Sequence, residues 1–176
     1  EQTEINAQAK IKMVTPKQRI QHITKWIKSY ARSAKINTLV VGISGGIDSS
    51  VVSALCAETG VKTIVVQMPI RQNKKLDNRS SMQATWLMER YKNVTHMSMD
   101  LTSVFSAFEK KTAPFCDAEN ASQVELAFAN SRARLRMMTL YQIAQCHGGI
   151  VVGTGNRVED FGVGFFTKYG DGGVDI

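Results

Sequence analysis

Leu39-Val40-Val41-Gly42-Ile43-Ser44-Gly45-Gly46-Ile47-Asp48-Ser49 passes from a Val-rich apolar run straight into a Gly-Gly turn flanked by hydroxyls, with a carboxylate inside it. It reads as a strand, a phosphate cradle and the start of a helix. Adjacent glycines let backbone N–H groups approach an anion closely, and a helix beginning near Ser49 turns its positive end to the same point. Ser44 and Ser49 add hydroxyl donors. Asp48 would repel a bare phosphate, so its place among such donors implies a divalent cation, normally Mg²⁺, held against a polyphosphate. No G-x-x-x-x-G-K-S/T is present and no G-x-G-x-x-G follows the strand, so neither of the two commonest phosphate motifs applies. A lone Gly-Gly turn is often only a tight βα connection. Here the clustered Ser44, Asp48 and Ser49, with a second glycine-rich strand end at Val151-Val152-Gly153-Thr154-Gly155, favour a nucleotide site.

Hydrophobic periodicity extends outward from this strand. Residues 1–15 are polar and read as surface, and Pro16 opens an amphipathic helix whose Ile20, Ile23, Ile27 and Tyr30 share a face to about Ala34. Strand one is Thr38 to Ile43, and the helix after the cradle carries Val51, Val52, Leu55 and Cys56 and closes at Gly60. Strand two, Lys62 to Met68, stops at Pro69; Arg71 to Lys75 is a loop, and a helix runs from Asp77 to Tyr91. Val94 to Met99 is strand three, followed by a helix over Leu101 to Lys110 and an irregular interval from Thr112 to Ser122. A long helix from Gln123 to Cys146 ends at Gly148-Gly149, before strand four at Ile150 to Gly153. Alternating strands and helices predict an α/β fold, a three-layer doubly wound parallel sheet with helices on both faces. Ligands in such sheets sit outside the carboxyl ends of the strands. The glycine-rich ends of strands one and four become neighbours if strand order reverses between them.

Composition narrows the class. A chain of 176 residues that is 43% hydrophobic suits one soluble domain, with apolar runs of strand length, no membrane span and no signal peptide. Cys56, Cys116 and Cys146 are odd in number and widely spaced, which points to free thiols in a reducing cytoplasm rather than to a disulfide or a metal site. The net charge of +7 is spread along the sequence without an aromatic RNA-binding motif, so it predicts attraction of small polyanions rather than of nucleic acid.

Ser44-Gly45-Gly46-Ile47-Asp48-Ser49 resembles the pyrophosphate loop of N-type ATP pyrophosphatases, which split ATP between its α and β phosphates. Gly153-Thr154-Gly155-Asn156-Arg157-Val158-Glu159-Asp160 and Gly164-Phe165-Phe166-Thr167-Lys168-Tyr169-Gly170-Asp171-Gly172-Gly173-Val174-Asp175 are more specific and resemble the NAD synthetases. The resemblance covers about Thr38 to Ile176 and implies an adenine-nucleotide alpha-hydrolase-like fold. It further implies amidation of deamido-NAD with ammonia through an adenylated intermediate, giving NAD, AMP and pyrophosphate.

Carried over by position, Gly42, Ile43, Ser44, Gly45, Gly46, Ile47, Asp48, Ser49 and Thr154 are expected to bind ATP, and Asp48 and Glu159 to hold Mg²⁺. Asn130, Arg134, Lys168 and Asp175 are expected to bind deamido-NAD, with Asp171 or Asp175 either handling the ammonium proton or only orienting Lys168, and Asp171 the catalytic candidate. Arg132 and Arg136 lie together on one helical face away from Arg134, and three arginines on a helix are usually a solvated face. The interval between Glu159 and Phe165 is one residue longer than in the bacterial forms, a departure from the family pattern. The family also implies a homodimer and further helices beyond Ile176, so the chain is expected to be one ATP pyrophosphatase domain lacking its C-terminal portion. No second domain able to hydrolyse glutamine is evident, which points to free ammonia. The rivals are a GMP-synthetase-like or tRNA-modifying pyrophosphatase, for which a cysteine pair or an RNA-binding domain is missing, and a regulatory nucleotide-binding module, against which Asp48 and Glu159 argue.

Overall fold

The computed structural model describes residues 15–72, 74–116 and 119–176. The expected polar surface segment before Thr15 lies outside the described residues. Helix α1 spans Pro16–Ser33, where Thr15 accepts from the Gln18 N–H and Gln18 reaches back to the Thr15 backbone, a reciprocal capping box with Pro at the first helical position. Strand β1 (Thr38–Gly42), α2 (Ile47–Glu58), β2 (Lys62–Gln67), α3 (Lys74–Arg90), β3 (Val94–Ser98), α4 (Thr102–Thr112), α5 (Ala121–Cys146) and β4 (Gly149–Val151) follow, with a short π-helix at Val158–Val163. All strand pairs are parallel and the order is β3-β2-β1-β4, so the winding reverses between β1 and β4, the condition under which the two glycine-rich strand ends become neighbours.

The period-2 pattern of the strands divides the core into two layers. Val40, Ile64, Val66 and Val151 pack against Phe105 of α4 and Met137, Leu140 and Ile143 of α5. On the other face Leu39 and Val41 meet Ile27 and Cys56, while Val65 meets Ala57, Ala84 and Leu87. Helices therefore cover both faces. Phe105 is 1% exposed and meets Phe128 of α5 edge-on at 6.3 Å between ring centroids, which ties α4 to α5.

Several element ends lie one to three residues from expectation, and three of these differences have a physical reason. α3 begins at Lys74 rather than Asp77, because its polar first turn is exposed and hydrophobic periodicity does not register it. α5 begins at Ala121 rather than Gln123: Asn120 is its N-cap and accepts from the Gln123 N–H, and a 3₁₀ turn at Ala113–Phe115 fills part of the interval expected to be irregular. Gly149 opens β4 instead of only ending the helix. Opposite Thr38, a Cβ at that position would stand 2.6 Å from the Thr38 carbonyl oxygen, so the two backbones approach as closely as only glycine permits.

Among the described residues no helix is long and apolar enough to cross a membrane. All three cysteines are free, and burial pushes the Cys56 thiol up to about 12, so it stays protonated and unreactive while Cys146 is exposed. The aromatic joint between α4 and α5 sets the fold's first test. Phe105→Ala removes a fully buried ring from the layer that positions α5, and its expected cost is about 3–5 kcal/mol in urea-unfolding free energy. A loss under about 1 kcal/mol would show that the site collapses around the gap and that Phe105 is not a packing anchor.

Candidate functional site

The segment after β1 folds into a turn braced by its own hydroxyls. Ser44 N–H donates to Ser49 Oγ at 3.2 Å, Gly46 N–H donates to Ser44 Oγ at 3.2 Å, and Ser49 Oγ donates to the Gly46 carbonyl at 3.1 Å. Ser49, 4% exposed, thus engages its hydroxyl inside the turn. Gly45 sits at φ +82°, and a Cβ there would lie 2.5 Å from the Leu76 carbonyl oxygen of α3. The turn can fold against α3 only because that position has no side chain. Gly46 is the N-cap of α2 and no side chain caps that helix, so its first-turn N–H groups remain available to an anion, with Asp48 in the same turn.

A cleft of about 540 Å³ opens at the carboxyl ends of β1 and β4. Gly42, Ile43, Ser44 and Gly46 line it from one side and Gly153 and Thr154 from the other, so the two glycine-rich strand ends do meet. Gly45, Ile47, Asp48 and Ser49 lie behind or beside this lining, and Ile47 is 75% exposed. Asp171 also faces the cleft and its Oδ1 accepts from the Thr167 N–H at 2.9 Å.

A second hollow of about 440 Å³ lies on the neighbouring side of α5, lined by Arg134, Met138, Tyr141 and Tyr169 among others. Arg134 Nε donates to the Lys168 carbonyl at 3.0 Å, and Asn130 Oδ1 accepts from Thr167 Oγ1 at 2.9 Å, so both α5 residues expected at the substrate are tied to the 167–168 segment. Lys168 itself is exposed, its Nζ 5.0 Å from the centre of the Tyr169 ring. Asp175, the fourth residue expected at the substrate, stands beside β4 and Tyr141. Its Oδ2 accepts from Val151 N–H at 2.8 Å, its Oδ1 accepts from Tyr141 at 3.3 Å, and its own N–H donates to the Val151 carbonyl at 3.1 Å. That carboxylate is hydrogen-bonded at the outer edge of β4 and to α5. Burial and then the Asp175 charge push the Tyr141 hydroxyl pKa up, which keeps the phenol a donor.

Glu159 lies in the π turn after β4, where Asn156 Oδ1 accepts from the Val158 and Glu159 N–H groups at 3.1 and 3.0 Å. A π turn closes over one residue more than an α turn, and such turns occur frequently at functional sites. Asp48 and Glu159 thus sit at the ends of adjacent strands, both outside any group of three His, Cys, Asp or Glu side chains among the described residues. Mg²⁺ takes one or two carboxylates, keeps several waters and completes its shell with phosphate oxygens, so a carboxylate such as Asp48 or Glu159 is of the type it accepts.

Residues 19–176 match the NAD synthase family model. The chain belongs to the NAD synthase family. It is 38% identical over 157 residues to the NH(3)-dependent NAD(+) synthetase of Finegoldia magna, covering 89% of this chain and 60% of that protein. The corresponding protein of Mesoplasma florum is 34% identical over 161 residues, 91% of this chain and 62% of the relative. Among solved structures, NMN synthetase from Francisella tularensis superposes with a TM-score of 0.82 at 31% identity, covering 92% of this chain and 63% of that one. NH3-dependent NAD synthetase from Campylobacter jejuni gives 0.75 at 28% identity, covering 90% and 64%. The chain therefore spans about three-fifths of the length of these relatives.

Two polar residues that line the cleft are not among the expected site residues. Gln72, in the polar stretch after β2, donates from Nε2 to the Ser44 carbonyl at 3.1 Å and lines the cleft; its place just after the carboxyl end of a strand is the signal that could reveal it. Arg136 lines the same cleft rather than a solvated face. The turn geometry generates a test at Gly45. Gly45→Ala demands a left-handed backbone costing roughly 1–2 kcal/mol and a shift of α3, so pyrophosphate affinity by titration calorimetry is expected to fall at least about tenfold. Undiminished binding would show that the braced turn is not the anion site.

Proposed function

We propose that the protein amidates a nicotinate nucleotide with ammonia at the expense of ATP, converting deamido-NAD to NAD with release of AMP and pyrophosphate. The observation that carries this reading is the meeting of the braced Gly-Gly turn after β1 and the Thr154 segment after β4 in one cleft, in a chain of the NAD synthase family. A carboxylate oxygen of the nicotinate attacks the α phosphorus, and the bond to pyrophosphate breaks. Ammonia then adds to the acyl carbon, AMP departs with the former carboxylate oxygen, and the nitrogen loses a proton.

The chain supplies binding, orientation and charge stabilisation rather than a nucleophile. The uncapped N-terminus of α2, held in place by the braced 44–46 turn, meets the charge that develops on the departing pyrophosphate. Mg²⁺, held by Asp48 and Glu159, would neutralise the polyphosphate as it leaves. Arg134 and Asn130 hold the nicotinate nucleotide beside the 167–168 segment. Asp171, fixed by the Thr167 N–H and open to the cleft, is the carboxylate to take the ammonium proton, since Asp175 is engaged on β4 and Tyr141. The free thiols suit a cytoplasmic enzyme, and the exposed Ile20, Trp26 and Tyr30 of α1 offer an apolar face for the homodimer that the family implies. Ammonia as nitrogen donor is supported by the NH(3)-dependent activity of the bacterial relatives.

Similarity to an NMN synthetase gives a second acceptor, nicotinate mononucleotide, in place of the dinucleotide. Product analysis on the full-length protein decides the reaction and the acceptor together. With ATP, Mg²⁺, ammonia and each acceptor in turn, AMP and pyrophosphate are expected in equal amounts with the amide, and the higher kcat/KM identifies the acceptor. ADP and orthophosphate as products would refute the α–β cleavage. Asp48→Asn and Glu159→Gln are each expected to lower kcat by about a hundredfold or more, the loss of several kcal/mol of charge stabilisation, with melting temperatures nearly unchanged. Wild-type rates in either variant would remove that carboxylate from the metal.

A further inference from the structure

α5 carries Arg132, Arg134 and Arg136 within one and a half turns, and the helix sends them to different places. At 3.6 residues per turn, positions 133, 136 and 140 share one face and positions 134, 138 and 141 another. The two hollows follow this division. Ala133, Arg136 and Leu140 line the cleft that holds Ser44, Gly46 and Thr154, whereas Arg134, Met138 and Tyr141 line the second hollow. Arg136 therefore faces the braced Gly-Gly turn, and Arg134 does not.

The surroundings of Arg136 leave its charge uncompensated. It is half-buried, and its Nε donates to the Met68 carbonyl at 3.0 Å, just past the end of β2. Among the described residues its remaining N–H groups have no hydrogen-bond partner and no carboxylate stands within ion-pairing distance. The charged neighbour it does have is Arg132, and burial together with that repulsion pushes the Arg136 pKa down. The guanidinium nonetheless stays protonated, since its intrinsic pKa lies so far above neutrality. Its neighbours are satisfied: Arg132 lies over the Phe105 ring at 5.6 Å, and Arg71 pairs with Glu109 at 2.6 Å. Keeping a half-buried cation without a partner is unfavourable, and an anion entering the cleft removes that penalty.

We propose that Arg136 binds the polyphosphate of the nucleotide held by the Gly-Gly turn, filling the role that a lysine fills in P-loop proteins. The Met68 hydrogen bond fixes the guanidinium plane, so that its free N–H groups form a preset fork matched to phosphate oxygens. This assignment rests on the reading of the cleft as an ATP site.

Titration calorimetry with MgATP, pyrophosphate and deamido-NAD on the full-length protein and its Arg136→Gln variant tests it. Loss of one charge-assisted contact is expected to weaken MgATP and pyrophosphate about ten- to a hundredfold while deamido-NAD changes less than about threefold. Unchanged MgATP and pyrophosphate binding overturns the assignment, and so does a loss confined to deamido-NAD. Should Arg136→Gln fail to fold, Arg136→Met, which keeps an unbranched stem against the half-buried site, is titrated with the same three ligands, and the same results support or overturn the assignment. A wild-type protein that binds neither MgATP nor pyrophosphate overturns the functional reading and this assignment with it, whereas equal binding by wild type and variant overturns the assignment alone.

Discussion

β1 is hydrogen-bonded along both edges, to β2 on one side and to β4 on the other, and Thr38 to Val41 are at most 1% exposed. The turn after β1 and the segment after β4 both take their position from this strand. Because β2 and β4 run parallel to it, three carboxyl ends emerge at one edge of the sheet, and the segments leaving them turn away from one another. A crevice at that edge is a consequence of the winding, not of any particular side chain. Its polarity follows from the ends themselves, where the start of α2 presents N–H groups and the turn after β4 presents Thr154.

The glycine turn shows how a small set of polar contacts holds backbone donors toward the crevice. Ser49 and Ser44 exchange hydrogen bonds within the turn, Gln72 reaches across to the Ser44 carbonyl, and α3 presses on Gly45 from behind. None of these contacts is strong alone, since a neutral hydrogen bond contributes about 0.5–1.5 kcal/mol net. Together they fix the turn before a ligand arrives, which lowers the ordering entropy to be lost on binding.

The sequence discloses most of this architecture because its strongest signals are the ones packing enforces. Val-rich runs such as Leu39 to Val41 and Ile64 to Val66 must lie in a two-faced parallel sheet, and the glycines after them mark where the chain leaves it. Boundaries at Lys74 and Ala121 are less legible, since a polar exposed turn carries no periodicity, and Asn120 signals a cap only once its partner Gln123 is in place. Site residues divide in the same way. Gly42, Ser44, Gly46 and Thr154 line the cleft as their motif implies, while the role of Asp175 depends on a strand edge that sequence does not reveal. Ser49 is ambiguous in sequence for a related reason: a hydroxyl in a phosphate-loop motif can face the anion or the turn, and only the backbone path decides.

α5 illustrates why residue type is a weaker guide than helical phase. Its three arginines look equivalent in sequence, yet two positions along a helix are about 200° apart, enough to send Arg134 and Arg136 to opposite sides of the cleft wall. The neighbours then set each one's task. Arg134 meets a carbonyl of the 167–168 segment, Arg136 a carbonyl beyond β2, and Arg132 an aromatic face. A single rigid helix thereby links the two hollows, and any tilt that moved one arginine would move the other. The Phe105–Phe128 contact and the Leu140 and Ile143 packing against the sheet oppose such a tilt, so the spacing between the two hollows is set by the hydrophobic core rather than by the polar groups that line them.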